Sequence, residues 1–158
     1  MKWFSWCVKI LSIAILILFL FPYILTICGK TPYTVTSGSM LPTYKVGSIV
    51  FVHKVDESNI SVGDVITFKY AKNMIVTHRV VEVKEKGVIT KGDANNTTEG
   101  VIPFKDIIGK TSDFCIPYVG YIYDFIQNYK LFIIGFLLIL FLVDWILNER
   151  KGNIEKKE

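Results

Sequence analysis

Residues 37–43 (SGSMLPT) contain the chain's first candidate for nucleophilic chemistry, Ser39. The glycine before this serine lets the hydroxyl stand exposed on a tight backbone, and Pro42 stiffens the segment that follows. A serine hydroxyl is a weak nucleophile until a base removes its proton. The stretch alone is common loop composition, so it suits covalent catalysis only if another segment brings a general base to Ser39.

The best candidate for that base is His78, in an apolar stretch, residues 74–83 (MIVTHRVVEV), that is typical of a β-strand. Side chains alternate between the two faces of a strand, so His78 should share a face with Val80 and lie opposite Arg79. A histidine on an apolar face is more often a hydrogen-bonded core residue, and only the pairing with the serine stretch favours catalysis. The chain's other histidine, His53, has no catalytic motif around it.

An acidic turn, residues 91–96 (KGDANN), supplies a candidate for the third member of a catalytic triad. By itself, an aspartate after glycine and before two asparagines is an ordinary turn. If this turn folds back to His78, Asp93 would hold the imidazole in the productive tautomer and stabilise the imidazolium, as in serine-protease triads.

Metal, cofactor and nucleic-acid chemistry have no support in the sequence. The three cysteines, Cys7, Cys28 and Cys115, form no CxxC pair, and two histidines are too few for a typical zinc site. The chain has neither a P-loop nor a GxGxxG motif. Its net charge of +4 is spread over scattered lysines and arginines, which is typical of a solvated surface. We therefore predict no metal, no cofactor and no nucleic-acid partner.

The candidate residues lie in a segment of short, regularly spaced strands separated by turn signals. The predicted strands are residues 47–55, 64–70, 74–83, 87–91 and 101–104. This pattern predicts a mainly β fold, a small β-sandwich or barrel-like catalytic domain over residues 30–117. A domain of fewer than about 90 residues has a thin core, so flanking helices would help to support it.

The first apolar run, residues 10–29, carries no charge and lies between Lys9 and Lys30. About 20 apolar residues cross the hydrocarbon core of a bilayer as a helix. A cleavable signal peptide is the rival interpretation, but its apolar core would be about 7–15 residues long and would end in small residues. Bulky Phe21 and Tyr23 stand there instead, so we predict a retained transmembrane helix.

The second apolar run, residues 131–147, is interrupted by Asp144 and reaches only the lower limit of a membrane span. An amphipathic or buried hairpin helix is the alternative, but the run shows no polar face. We predict a second transmembrane helix, joined to the catalytic domain by a juxtamembrane connector, residues 118–130.

Basic residues flank both predicted spans on their outer sides, within residues 1–9 and residues 148–158. By the positive-inside rule these two segments are cytoplasmic, which puts residues 30–117 on the far side of the membrane. Ser39 lies ten residues after Gly29, so it can be at most about 33 Å from the end of the first span. That position suits cleavage just outside a membrane-embedded segment.

Together, these stretches resemble the signal peptidase I family. Residues 37–43 look like its nucleophile motif, residues 63–68 (GDVITF) like its core strand, residues 77–81 (THRVV) like its base motif and residues 91–93 (KGD) like its acidic motif. The four stretches stand in the family's order within residues 33–110. Histidine in the base motif, where the common bacterial branch has lysine, resembles the branch of the endoplasmic reticulum, archaea and some spore-forming bacteria.

The resemblance implies a role for each candidate residue. Ser39 would attack the scissile carbonyl, and His78 would act as the general base. The Ser39 backbone N–H and the Ser37 hydroxyl would form the oxyanion hole. Asp93 would orient His78. Some members of the branch carry a further acid several residues later, where this chain has Glu99, so Glu99 is the alternative acid.

The resemblance also implies the partners. Substrates would be signal peptides of secretory preproteins, with small residues before the cut, bound as an added β-strand. The protein would be integral to the lipid bilayer, in the plasma membrane of a prokaryote rather than the endoplasmic reticulum, and partner subunits are an open expectation. Two other functions stay open: a non-catalytic membrane-anchored β-domain that serves as a subunit or binding module, and a Ser–Lys protease that uses Lys69 or Lys72.

Overall fold

The structure, a computed structural model, describes residues 2–71 and 74–155, and its contacts divide the chain into two units. One unit covers Ile24–Asp124 and contains the sheet. The other is formed by the helical segments before and after it. Lys72 and the last three residues of the predicted cytoplasmic tail lie outside the described residues.

The strands of the first unit form one antiparallel sheet in the order β1-β2-β7-β3-β4-β5-β6. Their bounds are β1 Thr31–Thr34, β2 Ile49–His53, β3 Val65–Tyr70, β4 Met74–Lys84, β5 Gly87–Lys91, β6 Val101–Pro103 and β7 Ile107–Ile116. The prediction of a mainly β fold flanked by two apolar helices is confirmed. A single curled sheet matches the barrel-like form of that prediction rather than two packed sheets.

All five predicted strands exist, with ends that differ from the prediction by at most two residues. Strands β1 and β7 were not predicted from the sequence. The β7 sequence, residues 107–116 (IIGKTSDFCI), mixes Gly, Lys, Ser and Asp with its apolar residues and shows no clear alternation. Its conformation is set by its neighbours, because β2 and β3 hydrogen-bond to it on either side.

Alternate residues of β3 face two different clusters of buried side chains, which separates the two faces of the sheet. Ile66 and Phe68 belong to the larger cluster, together with Val80 of β4. Val65 belongs to the smaller one. Met40, Tyr44 and Val50 complete that smaller cluster. His78 is two residues from Val80, so it lies on the face of the larger cluster, as the alternation predicted.

The two helices are α1, Lys2–Ile27, and α2, Val119–Glu155. Residues 6–27 and 119–147 are each long and apolar enough to cross a membrane. The predicted connector, residues 118–130, is therefore helical from Val119 on. The first turn of α2 is held on the sheet, since the Gly120 N–H donates to the Gly47 carbonyl at 2.9 Å and the Thr34 hydroxyl donates to Asp124 at 2.8 Å.

Candidate active site

Ser39 sits in a short 3₁₀ turn, Gly38–Met40, between β1 and β2. The turn is anchored by Met40, which is 2 % exposed in the smaller core cluster. The Ser39 carbonyl accepts the N–H of Ala94 at 2.9 Å, so the loop after β5 fastens the backbone that carries the hydroxyl. Ser37 Oγ lies 3.2 Å from Ser39 Oγ, which brings together the two serines that the sequence predicted.

His78 lies in the middle of β4, opposite Ile66 of β3, and is 6 % exposed. Its ring meets the ring of Phe68 edge to face, with centroids 6.3 Å apart. Strand pairing and this contact restrict the imidazole to one region. A buried histidine held in this way is oriented before any substrate arrives.

One cleft of about 480 Å³ is lined by both Ser39 and His78. Its walls come from β1 and the segment after it, from the turn of Ser39 and from the first half of β4. The lining residues are Tyr33, Thr34, Val35, Thr36, Ser37, Ser39, Met40, Tyr44, Val50, Met74, Ile75, Val76, Thr77 and His78. The tertiary structure thus places the predicted nucleophile, the predicted oxyanion donor and the predicted base around one space.

Part of this cleft is an unpaired strand edge. β4 pairs with β3 along Met74 to Arg79, but its pairing with β5 begins only at Arg79. Within the described part of the chain, residues 74–78 therefore have no strand partner on the side away from β3. An extended peptide can hydrogen-bond to such an edge.

The acid beside His78 is Glu99 and not Asp93. Oε1 of Glu99 lies 2.7 Å from Nδ1 of His78. Within the described part of the chain, Nδ1 of His78 has no other hydrogen-bond partner, so the Glu99 carboxylate is the group that it faces. The other carboxylate oxygen, Oε2, accepts the hydroxyl of Thr90 at 2.8 Å.

Asp93, which we had expected to fold back to His78, pairs with Arg79 instead. Nε and one terminal nitrogen of Arg79 donate to the two oxygens of Asp93 at 2.8 and 2.7 Å. The reason is the strand alternation: Arg79 follows His78 directly, so the two side chains leave opposite faces of β4. The turn after β5 presents Asp93 on the Arg79 face, and the expected contact between Asp93 and His78 is corrected accordingly.

The Arg79–Asp93 pair fastens several segments around the turn of Ser39. Thr43 donates its hydroxyl to Asp93, and Arg79 also donates to the Gly63 carbonyl at 2.8 Å. Neither Arg79 nor Thr43 was predicted from the sequence to be a site residue. A useful signal was available, because an arginine on a half-buried strand favours a carboxylate partner, and Asp93 competes for that role with its predicted one beside His78.

The charges of this pair stabilise one another. Hydrogen bonds from Arg79 hold the pKa of the Asp93 carboxyl below its usual range, and the Thr43 hydroxyl adds to the effect. The same contact with Asp93 raises the pKa of Arg79. Burial, with a smaller contribution from Asp113, raises the pKa of Tyr44 to about 12, and its hydroxyl donates to the Ser112 carbonyl at 2.9 Å. Tyr44 is therefore a neutral, fixed part of the cleft.

The other predicted candidates lie elsewhere. Lys69 is an exposed residue of β3 and does not line the cleft, and neither does His53 of β2. Lys72, the second candidate for a lysine base, is outside the described residues. Among residues 2–71 and 74–155, no three His, Cys, Asp or Glu residues are grouped to hold a metal ion.

Comparison with known protein families shows to which family this chain belongs. Residues 3–113 match the family described as "Signal peptidase, peptidase S26". The chain belongs to this family. The family resemblance inferred from the four stretches is thereby confirmed.

Curated relatives of two kinds share the signal peptidase name. Signal peptidase I W of Bacillus subtilis is 40 % identical over 83 residues, which cover 49 % of this chain and 43 % of that protein. The signal peptidase complex catalytic subunit SEC11C of Canis lupus familiaris is 29 % identical over 120 residues, 67 % of this chain and 62 % of that protein. The match thus spans less than two thirds of the length of either relative.

Proposed function

We propose that the protein is a membrane-bound serine endopeptidase that removes signal peptides from secretory preproteins. The observation that carries the proposal is the single cleft that joins Ser39, Ser37 and His78, with Glu99 2.7 Å behind the imidazole. Membership of the signal peptidase family supports both the reaction and the substrate class.

In the proposed mechanism, the Ser39 hydroxyl oxygen attacks the scissile carbonyl while His78 takes its proton. Nδ1 of His78 faces Glu99, so Nε2 is the nitrogen that is left for this transfer. The resulting imidazolium is stabilised by the Glu99 carboxylate and returns its proton to the leaving amine. A water molecule, activated by the same imidazole, then hydrolyses the acyl-enzyme and frees Ser39.

The oxyanion of the tetrahedral intermediate would be held by the Ser39 backbone N–H and the Ser37 hydroxyl. The 3.2 Å separation of the two serine hydroxyl oxygens supports this role, because it keeps the Ser37 donor next to the attacked carbon. One such pre-aimed donor is worth on the order of 3 kcal/mol in the transition state.

The substrate would bind in an extended conformation along the unpaired edge of β4, residues 74–78. Its main chain would add a strand there, and alternate side chains would point into the cleft. Met40, Tyr44 and Val50 are each at most 2 % exposed and line the cleft wall. Bulky walls of this kind leave room for small substrate side chains.

A test of substrate class uses a preprotein with alanine directly before the cleavage site and a variant with phenylalanine there. Because the phenyl ring would overpack the cleft, we expect the variant to be cleaved at least about 10-fold more slowly. Membranes containing the protein are assayed by gel for the released mature domain, and Ser39→Ala membranes correct for other proteases. Equal cleavage of both preproteins would contradict the proposed specificity.

We further propose that α1 and α2 both span the membrane, in the plasma membrane of a prokaryote, with residues 30–117 extracytoplasmic. The basic residues outside the two apolar runs support this orientation. Protease added to sealed cells is then expected to spare epitope tags at either terminus. A tag inserted in the exposed loop at Thr97 serves as the control and should be digested. Loss of the C-terminal tag in intact cells would show that α2 does not span.

The two alternative functions, a non-catalytic membrane-anchored subunit and a Ser–Lys protease, are distinguishable from the proposed one. A non-catalytic subunit would keep its activity after Ser39→Ala or His78→Ala, and the signal peptidase would not. The relative SEC11C is the catalytic subunit of a signal peptidase complex, which supports the proposal that partner subunits assemble with this chain. A Ser–Lys protease has no described lysine at the cleft to support it.

A further inference from the structure

Thr90 on β5 contacts Glu99 at two points. Its hydroxyl donates to Oε2 of Glu99 at 2.8 Å, and its carbonyl accepts the backbone N–H of Glu99 at 2.9 Å. Thr90 is fully buried, with 0 % of its surface exposed. A buried hydroxyl in this position has few alternative partners, so both the backbone and the carboxylate of Glu99 are held by one residue.

The strand pairing places Thr90 next to the base. Thr90 lies opposite Val80 in the β4–β5 register, and Val80 is two residues from His78 on the same face of β4. Directly paired residues of two antiparallel strands point to the same face. Thr90 and His78 therefore share a face, and the Glu99 carboxylate lies between them.

The two carboxylate oxygens of Glu99 have different partners. Oε1 faces Nδ1 of His78 at 2.7 Å, while Oε2 is bound by the Thr90 hydroxyl. A glutamate has one more rotatable bond than an aspartate, so its carboxylate needs an external contact to keep one orientation. The Thr90 hydroxyl supplies that contact on the side away from the imidazole.

We propose that Thr90 is a positioning residue for catalysis: it fixes the Glu99 carboxylate so that Oε1 faces the imidazole of His78. The inference rests on the proposed function, since it assigns a role within the Ser39–His78–Glu99 triad. Thr90 does not touch the reacting atoms. Its effect on the rate is transmitted through Glu99, and this dependence separates it from a threonine that only fills the core.

The test measures kcat and KM for preprotein cleavage by the full chain in membranes. Thr90→Val keeps the shape of the side chain and removes the hydroxyl. We expect it to lower kcat about 10- to 100-fold, the usual cost of losing a contact that orients a reacting group's partner. KM is expected to change less than about 2-fold, because Thr90 does not line the cleft. Thr90→Ser retains the donor and should restore kcat to within about 3-fold of wild type.

Measuring Thr90→Val in Glu99→Gln protein tests whether the effect of Thr90 on kcat is transmitted through Glu99. In Glu99→Gln protein the orienting carboxylate is gone, so adding Thr90→Val should lower kcat by less than about 2-fold more. The matched control is Thr111→Val, which removes a buried hydroxyl of β7 that is bonded to Thr67. The side-chain contacts of Glu99 go instead to His78 and Thr90. That variant should keep the wild-type kcat.

Several outcomes would overturn the proposal. The first is a folded Thr90→Val protein with wild-type kcat. The second is a loss of kcat in Thr90→Ser equal to that in Thr90→Val, and the third is that Thr90→Val lowers kcat by the same factor in the Glu99→Gln background as in wild type. If Thr90→Val does not fold, Thr90→Ala replaces it and is assayed below its own unfolding temperature. Its kcat is then compared with wild type, with Thr90→Ser and with the Glu99→Gln background in the same way. Ser39→Ala is run alongside: if it still cleaves, the proposed function fails, whereas a dead Ser39→Ala with unaffected Thr90 variants refutes the positioning role alone.

Discussion

Ser39→Ala and His78→Ala are each expected to abolish preprotein cleavage, with a loss of about 10⁵- to 10⁶-fold in kcat. Both residues line the same cleft, and in the proposed mechanism neither can work without the other. Removing the nucleophile leaves the base without a proton to take. Removing the base leaves the serine as a neutral alcohol, which attacks amides poorly.

The Ser39→Ala/His78→Ala double variant provides the sharper measurement. Residues that act as one catalytic unit are strongly non-additive, so the double variant should be scarcely slower than either single one. His53→Ala is the matched control, because His53 lies on β2 and does not line the cleft. It should cleave at the wild-type rate. Near-normal cleavage by His78→Ala would transfer the role of base to another residue, such as a lysine.

Glu99→Gln is expected to lower kcat by about 10²- to 10⁴-fold while the fold stays intact. In a comparable triad, replacing the carboxylate by its amide costs about 10⁴-fold, because the amide favours the wrong imidazole tautomer. Glu99 is the carboxylate beside Nδ1 of His78, at 2.7 Å. This expectation reverses the one drawn from sequence, in which Asp93 was the acid that orients His78 and Glu99 was the alternative.

Asp93→Asn is expected to act mainly on stability. Arg79 would lose its charged partner, and the loop after β5 would hold the turn of Ser39 less firmly. We expect a lower unfolding temperature and a loss in kcat of less than about 10-fold at a temperature where the variant is folded. Asp93→Asn and Glu99→Gln are both assayed for cleavage and for thermal unfolding. A folded Glu99→Gln protein with normal cleavage, together with an inactive but folded Asp93→Asn protein, would restore the original assignment.

The pH dependence of stability gives an independent check on Asp93. Its pKa is lower in the folded protein than in the unfolded chain because Arg79 donates to it. The pair therefore stabilises the fold above the unfolded pKa of about 3.9, and this contribution is lost as the pH falls through the lower folded value. Asp93→Asn should remove part of the wild-type loss of stability in acid. Asp56→Asn, at an exposed residue, should leave that loss unchanged.

The choice between Asp93 and Glu99 could not be made from the motifs. Asp93 stands in the turn that resembles the family's acidic motif, whereas Glu99 stands in a polar segment without regular structure. Strand alternation did predict that His78 and Arg79 face opposite sides of β4. The loop between β5 and β6 decides on which face of β4 the residues after Lys91 lie. The sequence of this loop has no periodic pattern from which its path could be predicted.

The strand β7 is a second case in which tertiary contacts decided the structure. Its residues alone show weak strand character, but it lies between β2 and β3 in the sheet. In this position β7 forms hydrogen bonds along both of its edges, and its Lys110 forms an ion pair with Asp64 at 2.6 Å. These partners are far away in sequence, so a reading of local patterns could not include them.

By itself, the sequence determined the types and order of the chemical groups, five strands and two apolar helices, because each depends on local spacing. A serine after glycine, a histidine in an apolar strand and apolar runs of membrane length are visible without knowing any contact. Only the tertiary structure decided which carboxylate meets His78, that Arg79 and Asp93 pair, and that Thr90 holds Glu99. The physical reason is that such contacts depend on the relative placement of loops, and a difference of a few ångströms there exchanges one acid for another.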